Sequence, residues 1–524
     1  MRMWGGGVAP AALCLMLAGC GGGGDSGGSV TVPSPTPTLN VTLSATSQAL
    51  TITEDDSGAT LGFDATVQGT GSDPVLADIG YDRGQLVLVD PVVKKPNGGY
   101  QVRLRPASTL APGSYNGSVT FRLCREAACS TVYGGSTQVF TYKLTVGLAD
   151  WTTFQRNAAH TGFVNTTLNP ASFAKAWEWT SEGSTGVSTI ASFNGLAYAV
   201  TRDQDGTSSV RALIAATGQP RWSYNLGRIS DVSAPAIGNR KVFVTTLVSS
   251  SENNAIVPID AETGQFVGPN APFASQWSSF LAPTPYGEGL YMSAGYYGNV
   301  VYGYDYSALT YWYHEASGYI WDGQTPAVDA DSVYYYSGTA IEVIDRATGA
   351  LKQHLLDPFF QNSGYDYHGA PILGSNANVL AYSGHRGDGS PSVLVNWSKT
   401  TGAYAWRSAD SYSTTPAVGG GIVYLARNNP GRLDALNESS GAPQWSWTPP
   451  AGERFVGNTV ATRNLVFVST DKAVYAIPTE GNHAPVWSGP TGGDMAITGD
   501  GMLIVRKTPE TYSNPTTLVA YRLR

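Results

Sequence analysis

A chain of 524 residues with 42% hydrophobic, 11% aromatic and only 13% charged side chains has enough apolar matter for two or more packed domains and is not disordered. Its formal net charge of -8 excludes a nucleic-acid phosphate backbone as the main partner, because that affinity rests on clustered Lys and Arg. The 62 glycines and 29 tyrosines, without long runs of Ala, Glu, Lys and Leu, favour an all-β chain of short strands joined by tight turns.

The first element in chain order is a leader. Arg2 precedes the apolar run VAPAALCLMLAG, which is too short to span a bilayer and has the length of a signal-peptide core. The run ends in LAGC, and Leu17, Ala18, Gly19 and Cys20 resemble the bacterial lipobox. That resemblance implies cleavage before Cys20 and two or three acyl chains on it, more than one being what makes such an anchor stable. Residues 1–19 are therefore read as a lipoprotein signal peptide, and residues 20–38, rich in Gly, Ser and Pro, as a tether. Gly21, where an Asp would retain such a lipoprotein in the inner membrane, points to the outer membrane.

Residues 39–147 alternate apolar and polar side chains in short runs such as ATLGFDATV, GYQVRLRP and VFTYKLTV, which predicts an immunoglobulin-like β-sandwich. The stretch LAPGSYNGSVTFRLC resembles the late hairpin of bacterial immunoglobulin-like modules. Its carboxylates Asp55, Asp56, Asp73 and Asp78 are read as turn residues with local hydrogen-bonding roles. FRLCREAACSTVY sets Cys124 and Cys129 on either side of a short loop, and an even pair in an exported domain points to a disulfide. The alternative, a metal pair, lacks a nearby His or further Cys.

From residue 150 to 524 two phrases repeat. One is SAPAIGNRKVFV, TPAVDADSVYYY, TTPAVGGGIVYL and their kin, eight copies in all, and from Leu196 to Met502 they recur with a period of about 44 residues, within the range of four-stranded propeller blades. The other is D-x-x-T-G, seen as IDAETG, IDRATG, SKTTG and LNESSG. An Asp there accepts hydrogen bonds from N–H groups two or three residues on, and the Gly takes the positive φ that reverses the chain, so the phrase predicts a hairpin. Four residues after the Gly, Trp222, Trp406 and Trp445 are placed on the outer strand as blade-docking residues, with Gly268 and Gln353 standing where two further Trp are expected and Leu309 where a Gly is.

The motif A-x-D-x-x-T-G-x-x-x-W resembles the tryptophan-docking repeat of the pyrroloquinoline-quinone-like β-propellers, a group that includes quinoprotein dehydrogenases and the lipoprotein of the outer-membrane β-barrel assembly machinery. DWTTFQRNAAHTGF, from Asp150, is similar to the segment that opens many such propellers. The resemblance implies an eight-bladed propeller, and the last strand LVAYRLR, with no outer partner of its own, is expected to pair with AKAWEWT at 174 and close the ring.

In the dehydrogenases the resemblance implies a quinone in the central funnel, held by a vicinal Cys pair and a Ca²⁺ cage. Residues 151–524 contain no Cys, and neither quinone nor Ca²⁺, nor any other metal, is expected. No G-x-S-x-G and no H-E-x-x-H occurs, so no catalytic residue is assigned. The segments before three inner strands, GYIWDGQTP, SGYDYHGAP and DSYSTTP, would gather Trp321, Asp322, Tyr365, Asp366, Tyr367, His368 and Tyr412 at one mouth of the channel. They read as a ligand or peptide site, the alternative being loop packing in a Tyr-rich protein. The composite expectation is a lipid-anchored, non-catalytic cell-envelope protein that binds an envelope protein or peptide through its propeller. A quinone-dependent oxidoreductase and a glycan-binding surface protein stand as alternatives.

Overall fold

The computed structural model describes residues 38–524 apart from 57, 70–74, 182, 248–250, 276–281, 295–299, 308–309, 319–324, 361–369, 376, 384–391 and 508–516. The strands from Asn40 to Gly147 form two sheets. One runs Asn40–Leu43, Leu61–Gln68, Tyr100–Pro106, Leu86–Leu88, and the other Ser47–Thr53, Gln138–Gly147, Gly113–Cys124, Leu76–Gly80. Alternate residues point inward, as a pleated strand requires, so Phe63, Val102 and Leu104 of one sheet meet Phe121, Phe140 and Leu144 of the other in a single core. Cys124 and Cys129 form a disulfide with their Cα atoms 5.0 Å apart. Asp78 sits on the strand Leu76–Gly80 rather than in a turn, where Arg122 pairs with it at 2.7 Å.

Eight further sheets of four or five strands follow among the described residues. Their second strands are buried on both faces, as in Gly289–Ala294 and Ser332–Tyr336, because a neighbouring sheet covers each side. Outer strands such as Pro220–Arg228 alternate instead, one face meeting solvent. The last sheet is completed by Ala174–Thr180, which pairs antiparallel with Thr517–Arg522. The ring is thus closed by its own two ends, and the result is a β-propeller without an open seam.

The repeated turn explains how the sheets adhere. Asp260 Oδ1 accepts from the N–H groups of Glu262 and Thr263 and from Thr263 Oγ1, and Asp345 makes the same set with Ala347 and Thr348. The glycine that ends each turn lies against the indole of the preceding sheet. A Cβ on Gly218, Gly264, Gly349 or Gly441 would fall within 2.8 Å of Trp177, Trp222, Trp312 or Trp406. Each of these indoles donates its N–H to the carbonyl three residues before that glycine, on Ala215, Ala261, Arg346 and Glu438, at 2.8–3.0 Å. Where Gln353 replaces the Trp, its amide occupies the place above Gly402. Trp445 differs, because its sheet faces a longer turn, and it stacks on His483 at 4.2 Å between ring centres. Of the three docking tryptophans named from the repeat, Trp406 is buried while Trp222 and Trp445 keep part of their surface in solvent.

Gly264→Ala is therefore expected to cost about 1 to 3 kcal/mol, from a Cβ at φ +72° set 2.5 Å from the Trp222 ring. Gly206→Ala, at φ +85° with nothing within 4 Å, carries the backbone penalty alone, so thermal unfolding of the two variants separates clash from strain.

Candidate binding site at the channel mouth

Residues 151–162 precede the repeat units, and Phe163–Val164 after them add a short parallel strand to Phe455–Thr462. They cross the ring as a hub. The carbonyls of Trp151, Thr152, Ala158, Ala159, Thr161 and Gly162 accept hydrogen bonds at 2.7–2.9 Å from Ser192, Ile237, Val328, Leu373, Val418 and Ala461, all on the inner strands. Thr153 Oγ1 donates to Pro283 O, the residue before the inner strand Thr284–Tyr286 of a seventh sheet. Side chains finish the job that backbone cannot. Gln155 donates to Pro416 O and Thr459 O and accepts from Asn458, while His160 bridges Pro371 O and Thr284 Oγ1. His160 is fully buried, and burial pushes its imidazole down to about 4, partly offset by the Pro371 carbonyl, so it stands neutral at neutral pH.

Beside Trp151, Phe154 and Gln155 the space is about 40 Å³, and an open hollow of about 590 Å³ lies against Thr152, Asn157, Ala158 and Ala159. Beyond Phe154, at the mouth where the inner strands begin, a cavity of about 260 Å³ lies among Ile372, Tyr382, Tyr412, Thr414, Asp494 and Arg506. Tyr382 donates to Thr414 O at 2.7 Å, and Arg506 holds Asp494 through its Nε at 3.0 Å.

Of the mouth residues named from sequence, Tyr412 is described and lines this cavity, but it is 2% exposed and not presented for contact. Its hydroxyl donates to Asp434 Oδ2 at 2.9 Å, and Asp434 in turn lies 2.7 Å from Arg432 Nε, with Asp410 bridging Arg432 and Arg427. Burial, reinforced by the Asp434 charge, pushes the Tyr412 phenol well above its ordinary range. Tyr412 therefore stays a neutral donor that braces the wall. Trp321, Asp322, Tyr365, Asp366, Tyr367 and His368 lie outside the described residues, although Ala370, two positions after His368, lines the cavity. Cys20 also lies outside them.

Among the described residues, one group of His, Cys, Asp and Glu side chains lies within mutual reach of a metal ion, Asp78 with Cys124 and Cys129, and there both sulfurs are spent in the disulfide. The mouth offers, among the described residues, aromatic walls, hydroxyls and the Arg506–Asp494 pair.

Residues 160–447, more than half of the chain, match the family described as outer membrane protein assembly factor BamB. The chain belongs to this family. The match starts at His160, inside the hub, and ends at Trp447. Among solved structures, BamB from Moraxella catarrhalis is 16% identical with a TM-score of 0.49, covering 67% of this chain and 99% of that one. Quinohemoprotein alcohol dehydrogenase from Comamonas testosteroni is also 16% identical, with a TM-score of 0.52 over 71% of this chain and 80% of that one. At such identity the likeness to the dehydrogenase is one of fold. A search of curated proteins found no match.

Proposed function

We propose that this BamB-family chain is a non-catalytic scaffold of the cell envelope. In this reading an immunoglobulin-like module and an eight-bladed propeller are carried on a lipid anchor at Cys20, in the outer membrane, and the propeller binds an envelope protein or peptide. The observation that carries the non-catalytic part is the hub. In quinone-dependent propellers the funnel must receive a flat tricyclic cofactor, whereas here residues 151–164 are bonded across it. Where the hub crosses beside Trp151, Phe154 and Gln155, the space of about 40 Å³ has room for a few waters and none for a tricyclic ring system. With no Cys from 151 to 524 and with Asp494 already held by Arg506, the residues present do not fit the quinone or its Ca²⁺.

The family description supports an envelope location and an assembly role. The mouth where the inner strands begin is the face we assign to the partner, with Trp321, Asp322, Tyr365, Asp366, Tyr367 and His368 as its candidate contacts. Anchoring is tested by Cys20→Ser. That variant is expected to leave the detergent-extracted membrane fraction while its signal is still processed, and its retention there would count against lipidation at Cys20.

A further inference from the structure

The sandwich does more than space the propeller from its anchor. Arg156 lies in the hub, 2% exposed, and its guanidinium donates to Phe163 O, Glu54 Oε1 and Asp55 Oδ2, each at 2.6 Å. Both of its ion-pair partners come from the turn that follows the sandwich strand Ser47–Thr53. The Glu54 side chain is 1% exposed, and its second oxygen accepts from Ala149 N at 2.6 Å. Asp55 is half-exposed. A second contact lies at the rim. Arg463, in the turn after the inner strand Phe455–Thr462, donates to Ser108 O of the sandwich and to Asn165 Oδ1 beside the hub. The sandwich therefore sits at the mouth where inner strands end, opposite the cavity lined by Tyr412.

A buried guanidinium tolerates its site only while paired, because a lone charge there has lost water without recompense. The hub is also held in a backbone shape it would not choose. Gln155, Arg156 and His160 have φ of 47°, 82° and 58°, a region that side-chain-bearing residues keep only when their surroundings impose it. We propose that the sandwich is the lock on the hub: the turn carrying Glu54 and Asp55 neutralises Arg156, and withdrawing it loosens residues 151–164 and opens the channel from that mouth. The device goes beyond the scaffold reading, since it gives a partner that pulls on the sandwich a way to change the propeller's axis.

Amide hydrogen exchange on the full chain tests it. In Glu54→Gln/Asp55→Asn the amides of residues 151–164 are expected to exchange at least roughly tenfold faster than in the parent, while those of the strand Leu465–Thr470 keep their rate. Adding Arg156→Met to that background removes the stranded charge and is expected to slow the hub again. Exchange of the hub at the parental rate would overturn the proposal, as would equal acceleration in every blade, which marks general destabilisation. If the double variant does not fold, Asp55→Asn alone carries the same reading: faster exchange confined to the hub supports the lock and a parental rate overturns it.

Discussion

Replacing Trp406 with Ala is expected to lower the free energy of unfolding by about 3 to 5 kcal/mol, near the top of the range for single substitutions. Three losses add up at this position. The indole is 7% exposed, so its removal leaves a cavity between two sheets, and the turn glycine Gly441 loses the surface it packs against. The N–H bond to Glu438 O also goes, although Asn396 Nδ2 still reaches that carbonyl at 2.9 Å. Trp445→Ala serves as the internal comparison, since its ring stacks on His483 and is partly in solvent, and a smaller loss is expected there. Chemical denaturation of the two variants checks the order. Equal melting with lost partner binding would instead make Trp406 a contact residue.

The hub predicts a second large effect, set by acid. The buried imidazole of His160 binds a proton only near pH 4, whereas in the unfolded chain it does so near 6.5. Between those values the unfolded state holds the extra proton, so stability falls as pH drops through that window, by up to about 3 kcal/mol. Other groups move differently. Glu342, held down to about 2 against the pull of burial by hydrogen bonds from His314 and Ser317, loses its contribution only below about 4.5. Asp150 and Glu54, raised by burial, act in the opposite sense within the acid range. The measure is therefore the difference between the parent and His160→Gln in urea unfolding at about pH 7, 5.5 and 4. The parent is expected to lose more stability than the variant over that range. Parallel curves would mean that His160 is already charged or reaches solvent when folded.

The propeller was legible because its physics repeats. The turns and the indoles of Trp177, Trp222, Trp312 and Trp406 make one and the same contact with the next sheet, so the pattern recurs at a fixed period and stands out from a single sequence. Ring closure could be read from the ends, since the strand at 517–522 lacked an outer neighbour and Ala174–Thr180 lacked a sheet. The hub was not legible. Its segment occurs once, and the partners of Thr153, Gln155 and His160 lie 124 to 304 residues away, so no local pattern announces them. The resemblance of DWTTFQRNAAHTGF to a propeller's opening segment marked the stretch without saying what it bonds to, and the unbroken polar row Gln155, Arg156 and Asn157 was a further hint that it is neither strand nor ordinary loop. Glu54 and Asp55 escaped for the same reason, since an acidic turn on a sandwich looks like solvent-facing surface until Arg156 arrives from a hundred residues downstream. Tyr412 shows a different limit: the sequence places it before an inner strand, and only the structure shows its hydroxyl donating to Asp434 while its ring lines the cavity.

A propeller whose axis is crossed by its own chain and which works by binding has no seat for a quinone, and adding pyrroloquinoline quinone with Ca²⁺ to the purified protein checks this, with uptake measured by equilibrium dialysis alongside dye-linked alcohol oxidation. No stoichiometric uptake and no oxidation are expected. One quinone bound per chain, with turnover, would contradict a crossed axis.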